Sequence, residues 1–403
     1  MSTADATADE DVEVRGPQMD VLRRFIAGDL AELRVLLALA LIWIVFYIAE
    51  PRFMSSVNLS NLVLQMTAVG LVSIGIVHVL LLGEIDLSVG AVSGLCAAIM
   101  AVLQVKHGWS PYLAIAAAIA AGVLIGLFQG SVFTRFGVPS FVVTLAGLLA
   151  WPGAQLKVLG ETGTVNLNDP KILGLTGTFY SDTVGWIMAV VAIAAYAAIT
   201  LRSRQSRAAQ GLSTPPFGLV VGRIVLVAVA TLVAVWVLND DRGVPLAALI
   251  LVGFCLIFFY MTTRTTFGRH IFAVGGNAEA ARRAGINVNR VRVVVFVLAS
   301  TMAAIGGIMA ASRLLAVNQS SGSGDFLLLA IAGPVIAGTS LFGGRGSVWH
   351  ALLGALVITS ISNGMDLLAL DTSVKFMVTG AVLLLAVVID AIARRQRQAA
   401  GRL

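Results

Sequence analysis

Only 12% of the 403 residues are charged while 58% are hydrophobic, about half the charge that a soluble domain carries, and the apolar residues fall in long runs such as Val35 to Ala49. That pattern excludes a soluble globular protein of this size and indicates a membrane protein. The net charge of +6 comes from 27 basic residues gathered at the ends of apolar runs, which sets membrane orientation and excludes the contiguous basic face of a nucleic-acid binder. Cys96 and Cys255 each sit inside an apolar run, as packing residues do, and exclude a disulfide framework or a thiolate metal site.

The chain opens on an acidic stretch, Ala4 to Glu13, and no small-residue cleavage site follows the first apolar run, so that run is expected to stay as a span and not to leave as a signal peptide. About 20 helical residues cross the roughly 30 Å hydrocarbon core. On that ruler the sequence predicts twelve helical spans, near 33–49, 59–82, 87–105, 112–133, 138–158, 184–201, 219–238, 245–263, 291–316, 326–343, 347–368 and 373–392. The expected fold class is all-α and polytopic, with a tail over 1–32, a transmembrane domain over 33–392 and a second tail over 393–403.

With the N-terminus inside and the spans alternating, 20 of the 27 basic residues fall on the inner side, which predicts that both tails are cytoplasmic. The longest outer segment, 159–183, is rich in Gly, Thr and Asn and reads as a surface loop facing the periplasm, where a partner can dock. The longest inner segments are 202–218, with Pro215 and Pro216, and 264–290. A loose likeness links Asp86-Leu-Ser-Val-Gly90 to Gly344-Arg-Gly-Ser-Val348, each opening a predicted span, as in transporters built from related halves.

Within 264–290 lies Gly275-Gly276-Asn277-Ala-Glu279-Ala280-Ala281-Arg-Arg-Ala-Gly285. It predicts a short exposed helix, with Asn277 as N-cap, Arg282 and Arg283 at the C-terminal end, and Gly285 as the left-handed residue that ends it. Taken alone, this is equally a connector between two spans. Glu279-Ala-Ala followed by Gly285, however, resembles the EAA loop of ABC-importer permeases, the coupling helix that docks into a groove on an ATPase subunit. The resemblance extends through Glu84-Ile-Asp-Leu-Ser-Val-Gly90, Val138-Pro-Ser-Phe-Val-Val-Thr-Leu-Ala-Gly147, Thr266-Phe-Gly-Arg-His-Ile-Phe-Ala-Val-Gly-Gly-Asn277 and Gly338-Thr-Ser-Leu-Phe-Gly-Gly344 to the permeases of the ribose, galactose and xylose importer group. The xylose branch is the most similar, because it too carries an additional span pair, here 184–238, and a stretch like Leu238-Asn-Asp-Asp-Arg-Gly-Val-Pro245.

The resemblance implies a ten-helix importer core plus the extra pair, in a bacterial inner membrane. It implies the pathway-forming subunit of a monosaccharide importer, with xylose as the expected sugar and no catalysis by this chain. ATP and Mg are then bound by a separate ATPase seated on Gly276, Asn277, Glu279, Ala280, Ala281 and Gly285, a periplasmic binding protein delivers the sugar, and a second copy completes the pathway. Gly333-Pro334, Ala337 and His350 depart from the family pattern and affect the tenth and eleventh spans.

Candidate pathway or gating residues are the polar ones that interrupt apolar sequence: Glu84, Asp86, Ser88, Asn61, Gln65, Thr144 and Asn363, with His78, Gln129 and Asp366. A neutral sugar is held by hydrogen bonds, but such residues also bond neighbouring helices. The plainer reading, and the favoured one, has Asp86 as the cap of the third span and Glu84 facing water at the inner border.

Rival readings remain. An ion-coupled transporter needs mid-span acids, for which Asp366, Asp371 and Lys375 come nearest, and branched-chain amino-acid or nucleoside permeases share the general fold. Gly322-Ser-Gly-Asp325 matches the pattern of intramembrane aspartyl proteases, but the alternation of spans puts it a membrane thickness from Asp86, where Asp325 reads as the cap of the tenth span. The sequence holds no Gly-x-x-x-x-Gly-Lys-Ser/Thr phosphate loop, no His-Glu-x-x-His and no Gly-x-Ser-x-Gly, the patterns that would carry ATP hydrolysis, zinc or a serine nucleophile.

Overall fold

The computed structural model of the protein describes residues 31–399 apart from Asp325. Most of the expected tail 1–32, the last four residues of the expected tail 393–403 and the expected cap Asp325 lie outside the described residues.

Fifteen α-helices occur among the described residues. The first half of the chain forms α1 (Ala31–Ala49), a 3₁₀ turn (Pro51–Met54), α2 (Ser56–Leu81), α3 (Val89–Val105), α4 (Pro111–Phe136) and α5 (Ser140–Leu159), then β1 (Thr164–Asn166), α6 (Pro170–Gly177) and β2 (Phe179–Tyr180). The pair α7 (Asp182–Ala209) and α8 (Phe217–Asn239) follows, then β3 (Val244–Pro245), α9 (Leu246–Arg264), α10 (Thr266–Gly276) and α11 (Ala278–Arg283). The last part forms α12 (Val288–Leu314), β4 (Ala316–Asn318), α13 (Phe326–Ile336), α14 (Trp349–Leu367) and α15 (Thr372–Ala399).

Helices α2, α4, α5, α7, α8, α9 and α12 are long and apolar enough to cross a membrane, and Arg34–Ala49 of α1, α3 and α13 are apolar but shorter. The chain is therefore a polytopic helical membrane protein, although length and composition bring seven helices, not twelve, to full spanning size among the described residues. The tenth predicted span, 326–343, is cut to 11 residues. Beyond Ile336, Gly338, Gly343 and Gly344 adopt positive φ, and the chain turns at the place where the sequence departs from the family pattern.

Helix α12 is the axis of the molecule, packed along α2, α3 and α4. Between membrane helices there is no gain from excluding water, so close van der Waals contact at small residues holds them together. A β-carbon at Gly126 of α4 would lie 2.6 Å from Cα of Val297, and one at Gly75 of α2 would lie 2.8 Å from Cα of Ala299. Helix α2 is almost wholly buried as a result, whereas α7 and α8 expose most of their surface. They pack on each other and touch the rest through a small cluster of Ala189, Val235, Leu238 and Val244 against Val63 of α2.

Counted at about 1.5 Å per residue, the 27 residues of α12 separate two ends of the molecule. At one end lie α10, α11 and the turns 82–88 and 337–348. At the other, β1 pairs with β4 (Val165 opposite Val317) and β2 with β3 (Tyr180 opposite Val244). The segment 159–183 is consequently not a free loop: Ile172 of α6 is fully buried and both its strands are paired with later parts of the chain. Cys96 and Cys255 are buried and unpaired.

Because backbone would have to move at Gly126, Gly126→Ala is expected to destabilise the fold by about 1–3 kcal/mol. Gly222→Ala, inside α8 with nothing within 4 Å, is expected to cause no loss and a gain of up to about 1 kcal/mol from helix propensity. Thermal melting of the detergent-solubilised protein compares the two.

Candidate functional site

The exposed helix forms as its sequence predicts. Asn277 has extended backbone and its Oδ1 accepts from the Ala280 amide at 2.9 Å, which relieves one free donor at the helix start. Glu279 accepts from Arg282 at 2.8 Å and Arg283 at 3.3 Å. Ala281 is buried toward the body of the protein, while Gly276, Glu279 and Ala280 face outward. Gly285 closes the turn with φ +84° and donates its amide to Arg282. Six residues cannot hold themselves helical in isolation, so α11 is fixed by its flanks α10 and α12 and presents a preformed, exposed polar face.

Behind it, five of the candidate residues, Glu84, Asp86, Ser88, Gln129 and Thr144, gather at the turn 82–88. Glu84 does not face water: its carboxylate receives Arg292 at 2.9 Å and the Ser140 hydroxyl at 2.7 Å. Asp86 is 1% exposed and does not cap α3. Its Oδ1 instead accepts from the amide and hydroxyl of Ser88, at 2.8 and 2.7 Å, and Gln129 Nε2 donates to Ser88 Oγ at 3.0 Å. The carboxylate is thus withdrawn from the border into the protein, where a charge is tolerated only with such donors. Asp86 Oδ2 and the nearby Trp151 Nε1 find no partner among the described residues. Thr144 donates to the Ser140 carbonyl at 3.1 Å and approaches the Ile85 carbonyl.

The remaining candidates do not join this group. Asn363 bonds Asn58 at 2.8 and 3.1 Å and Gln65 at 3.5 Å, binding α14 to α2. Asn61 accepts from Arg242 beyond α8. His78 is spent on the Ile74 carbonyl and Thr262, and Lys375 pairs with Asp366. The departures from the family pattern are packing residues: Gly333 and Gly354 let α13 and α14 touch, and buried His350 shares a hydrogen bond with Thr339 at 3.0 Å.

At the far side of α3, the segment 319–324 folds inward after β4, with Gln155 Nε2 donating to the Asn318 and Ser321 carbonyls at 2.8 and 3.1 Å. A β-carbon on Gly90 would lie 2.6 Å from the Gly322 carbonyl oxygen. Gly322 is therefore packed against the start of α3 and not a membrane thickness from Asp86. A cavity of about 280 Å³ lies between Ser93, Gly94, Gly307, Ser321 and Phe326. Sequence reading missed Arg292, Ser140 and Trp151; each is an ordinary residue in its own neighbourhood.

A polytopic helical protein with inward-folded segments and an exposed, capped helix at one end has the layout of a transport permease. Over residues 58–387 the chain matches the family described as branched-chain amino acid transport system / permease component, and it belongs to that family. It is 40% identical to the xylose transport system permease protein of Escherichia coli (strain K12) over 86% of this chain and 88% of that protein. The xylose transport system permease protein of Haemophilus influenzae is 36% identical over 88% and 95%, and the ribose import permease protein of Escherichia coli (strain K12) 30% identical over 91% and 96%. These relatives fall in the xylose and ribose group of ABC permeases that the motifs resemble. No solved structure matches the chain significantly.

Ser88→Ala removes a donor from the buried Asp86 carboxylate and an acceptor from Gln129, and is expected to cost about 1–3 kcal/mol. A denaturation midpoint in detergent equal to that of the parent protein would show that this network contributes nothing.

Proposed function

We propose that the chain is the membrane-spanning permease subunit of an ATP-driven monosaccharide importer of a bacterial inner membrane, with xylose as its sugar. The observation that carries this reading is 40% identity to a xylose permease along 86% of the chain, joined to an exposed helix whose cap, ion pairs and left-handed stop are all in place. In this reading, Gly276, Asn277, Glu279, Ala280, Ala281 and Gly285 seat a separate ATPase that binds ATP and Mg, and a helix with small residues and a fixed polar register suits a groove. A periplasmic sugar-binding protein docks over the end formed by β1 to β4 and α6, and a second copy of the chain completes the pathway. Glu84, Asp86, Ser88 and Thr144 belong to its gate at the ATPase end, and the sugar leaves chemically unchanged.

The test is uptake of labelled xylose, ribose and galactose, with leucine as control, into proteoliposomes carrying this chain with its neighbouring ATPase and binding protein. Xylose uptake that requires all three components and ATP is the expected result; uptake by this chain alone on an ion gradient would replace the importer reading with a secondary transporter.

Gly285→Pro is incompatible with φ +84° and removes the amide bond to Arg282, since proline fixes φ near −65° and has no N–H. It is expected to abolish uptake while the protein still inserts, as read by membrane fractionation beside the uptake assay. Both native cysteines are buried, so a Ser206→Cys variant carries one reactive thiol. It is expected to be labelled from the cytoplasm only, and labelling from outside would reverse the orientation of α7 and α8.

A further inference from the structure

Two separate contacts join the α10–α12 segment to the end of α2 and the turn that follows it. On one side Gly275, in the last turn of α10, sits so close on the Leu81 carbonyl that any β-carbon would collide with it. The same carbonyl accepts the Gly344 amide at 2.9 Å, so the turn 337–348 is gripped as well. On the other side Arg292, in the first turns of α12, reaches Glu84 at 2.9 Å, and its guanidinium lies over the Phe133 ring of α4, 5.0 Å from the centroid. Glu84 also holds Ser140, at the start of α5. The exposed helix α11 lies between these two grips in the chain, with Gly275 before it and Arg292 after it.

We propose that this arrangement is a rigid clasp, in which Gly275 and the Glu84–Arg292 pair force the turn 82–88, and with it the start of α3, to follow any displacement of α11. The proposal rests on the reading of α11 as the ATPase-docking helix, and goes beyond it by naming the residues that carry the motion inward. Glu84 and Arg292 are positioning residues. Side-chain exposures of 14% and 24% leave the pair partly buried, where salt screens it less than a fully exposed pair. Contacts at both the last residue of α2 and the turn after it transmit rotation as well as translation, which a single contact would not. From Glu84 the link continues two residues to Asp86, whose bonds to Ser88 and through it to Gln129 bind the start of α3 to α4. Thus a shift at the exposed face reaches the place where α3, α4 and α5 converge.

The experiment uses the full chain reconstituted with its ATPase and binding protein, and reads labelled xylose taken up per ATP hydrolysed. Glu84→Gln and Arg292→Gln are each expected to keep ATP hydrolysis while uptake per ATP falls about tenfold, within the range of a typical coupling between sites. The reversed pair Glu84→Arg with Arg292→Glu is expected to recover most of that loss. A ratio that stays at the parent value in both single variants, or a reversed pair that recovers nothing, overturns the clasp. Should a single variant fail to insert, the Glu84→Cys, Arg292→Cys double variant gives the same answer: a short cleavable thiol cross-linker is expected to restore coupling and its cleavage to remove it, and a bridged protein no better coupled than the unbridged one overturns the clasp. Absence of ATP-dependent uptake by the parent chain overturns the importer reading together with the clasp; parent uptake with an unaltered ratio in the variants overturns the clasp alone.

Discussion

Where Gly75 and Gly126 meet Ala299 and Val297, the backbones of α2 and α4 touch that of α12, and lipid offers no hydrophobic gain that could replace this contact. Everything functional hangs from α12. Its first residue lies five positions beyond the exposed α11, its first turns supply Arg292, and its far end leads into β4, which ties the opposite surface together. A side chain at either glycine would push the axis away from its neighbours and shift both ends at once.

A second constraint is the satisfaction of polar groups away from water. Irregular segments occur at 82–88 and 319–324, and in both cases neighbouring protein supplies the partners: Ser140 and Arg292 for Glu84, Ser88 for Asp86, Gln155 for the Asn318 and Ser321 carbonyls. That arrangement creates the mechanical opportunity, because a turn held by side chains from several helices moves when any one of them moves. The span pair α7 and α8 stands outside this economy of contacts. It is attached by a small apolar cluster and, just beyond α8, by the Ser56 hydroxyl donating to Asp240 and Arg242 donating to Asn61, and its exposed Leu226, Val229 and Trp236 suit lipid.

The polar residues that interrupt apolar sequence show how far type alone can be trusted. Asn363, Gln65 and His78 are as polar as Ser88 and Gln129, yet the first three bond across to neighbouring helices, Asn363 to Gln65 and His78 to Thr262, while the last two gather around Asp86. Glu84 and Arg292 look like border charges of opposite sign, and nothing in the local sequence of either announces the other.

Composition and the length of the apolar runs determined that this protein crosses a membrane repeatedly, because burying so many uncharged residues in lipid requires it. The short-range pattern around Asn277 and Gly285 determined α11, since caps and left-handed stops depend only on residues within one turn. Tertiary structure alone decided how deep the polar residues lie, that 159–183 is pinned by strands from distant parts of the chain, that 319–324 folds in against α3, and that the tenth predicted span ends at Ile336. Each of these is settled by contacts between residues far apart in sequence, whose energies exist only once the helices have packed.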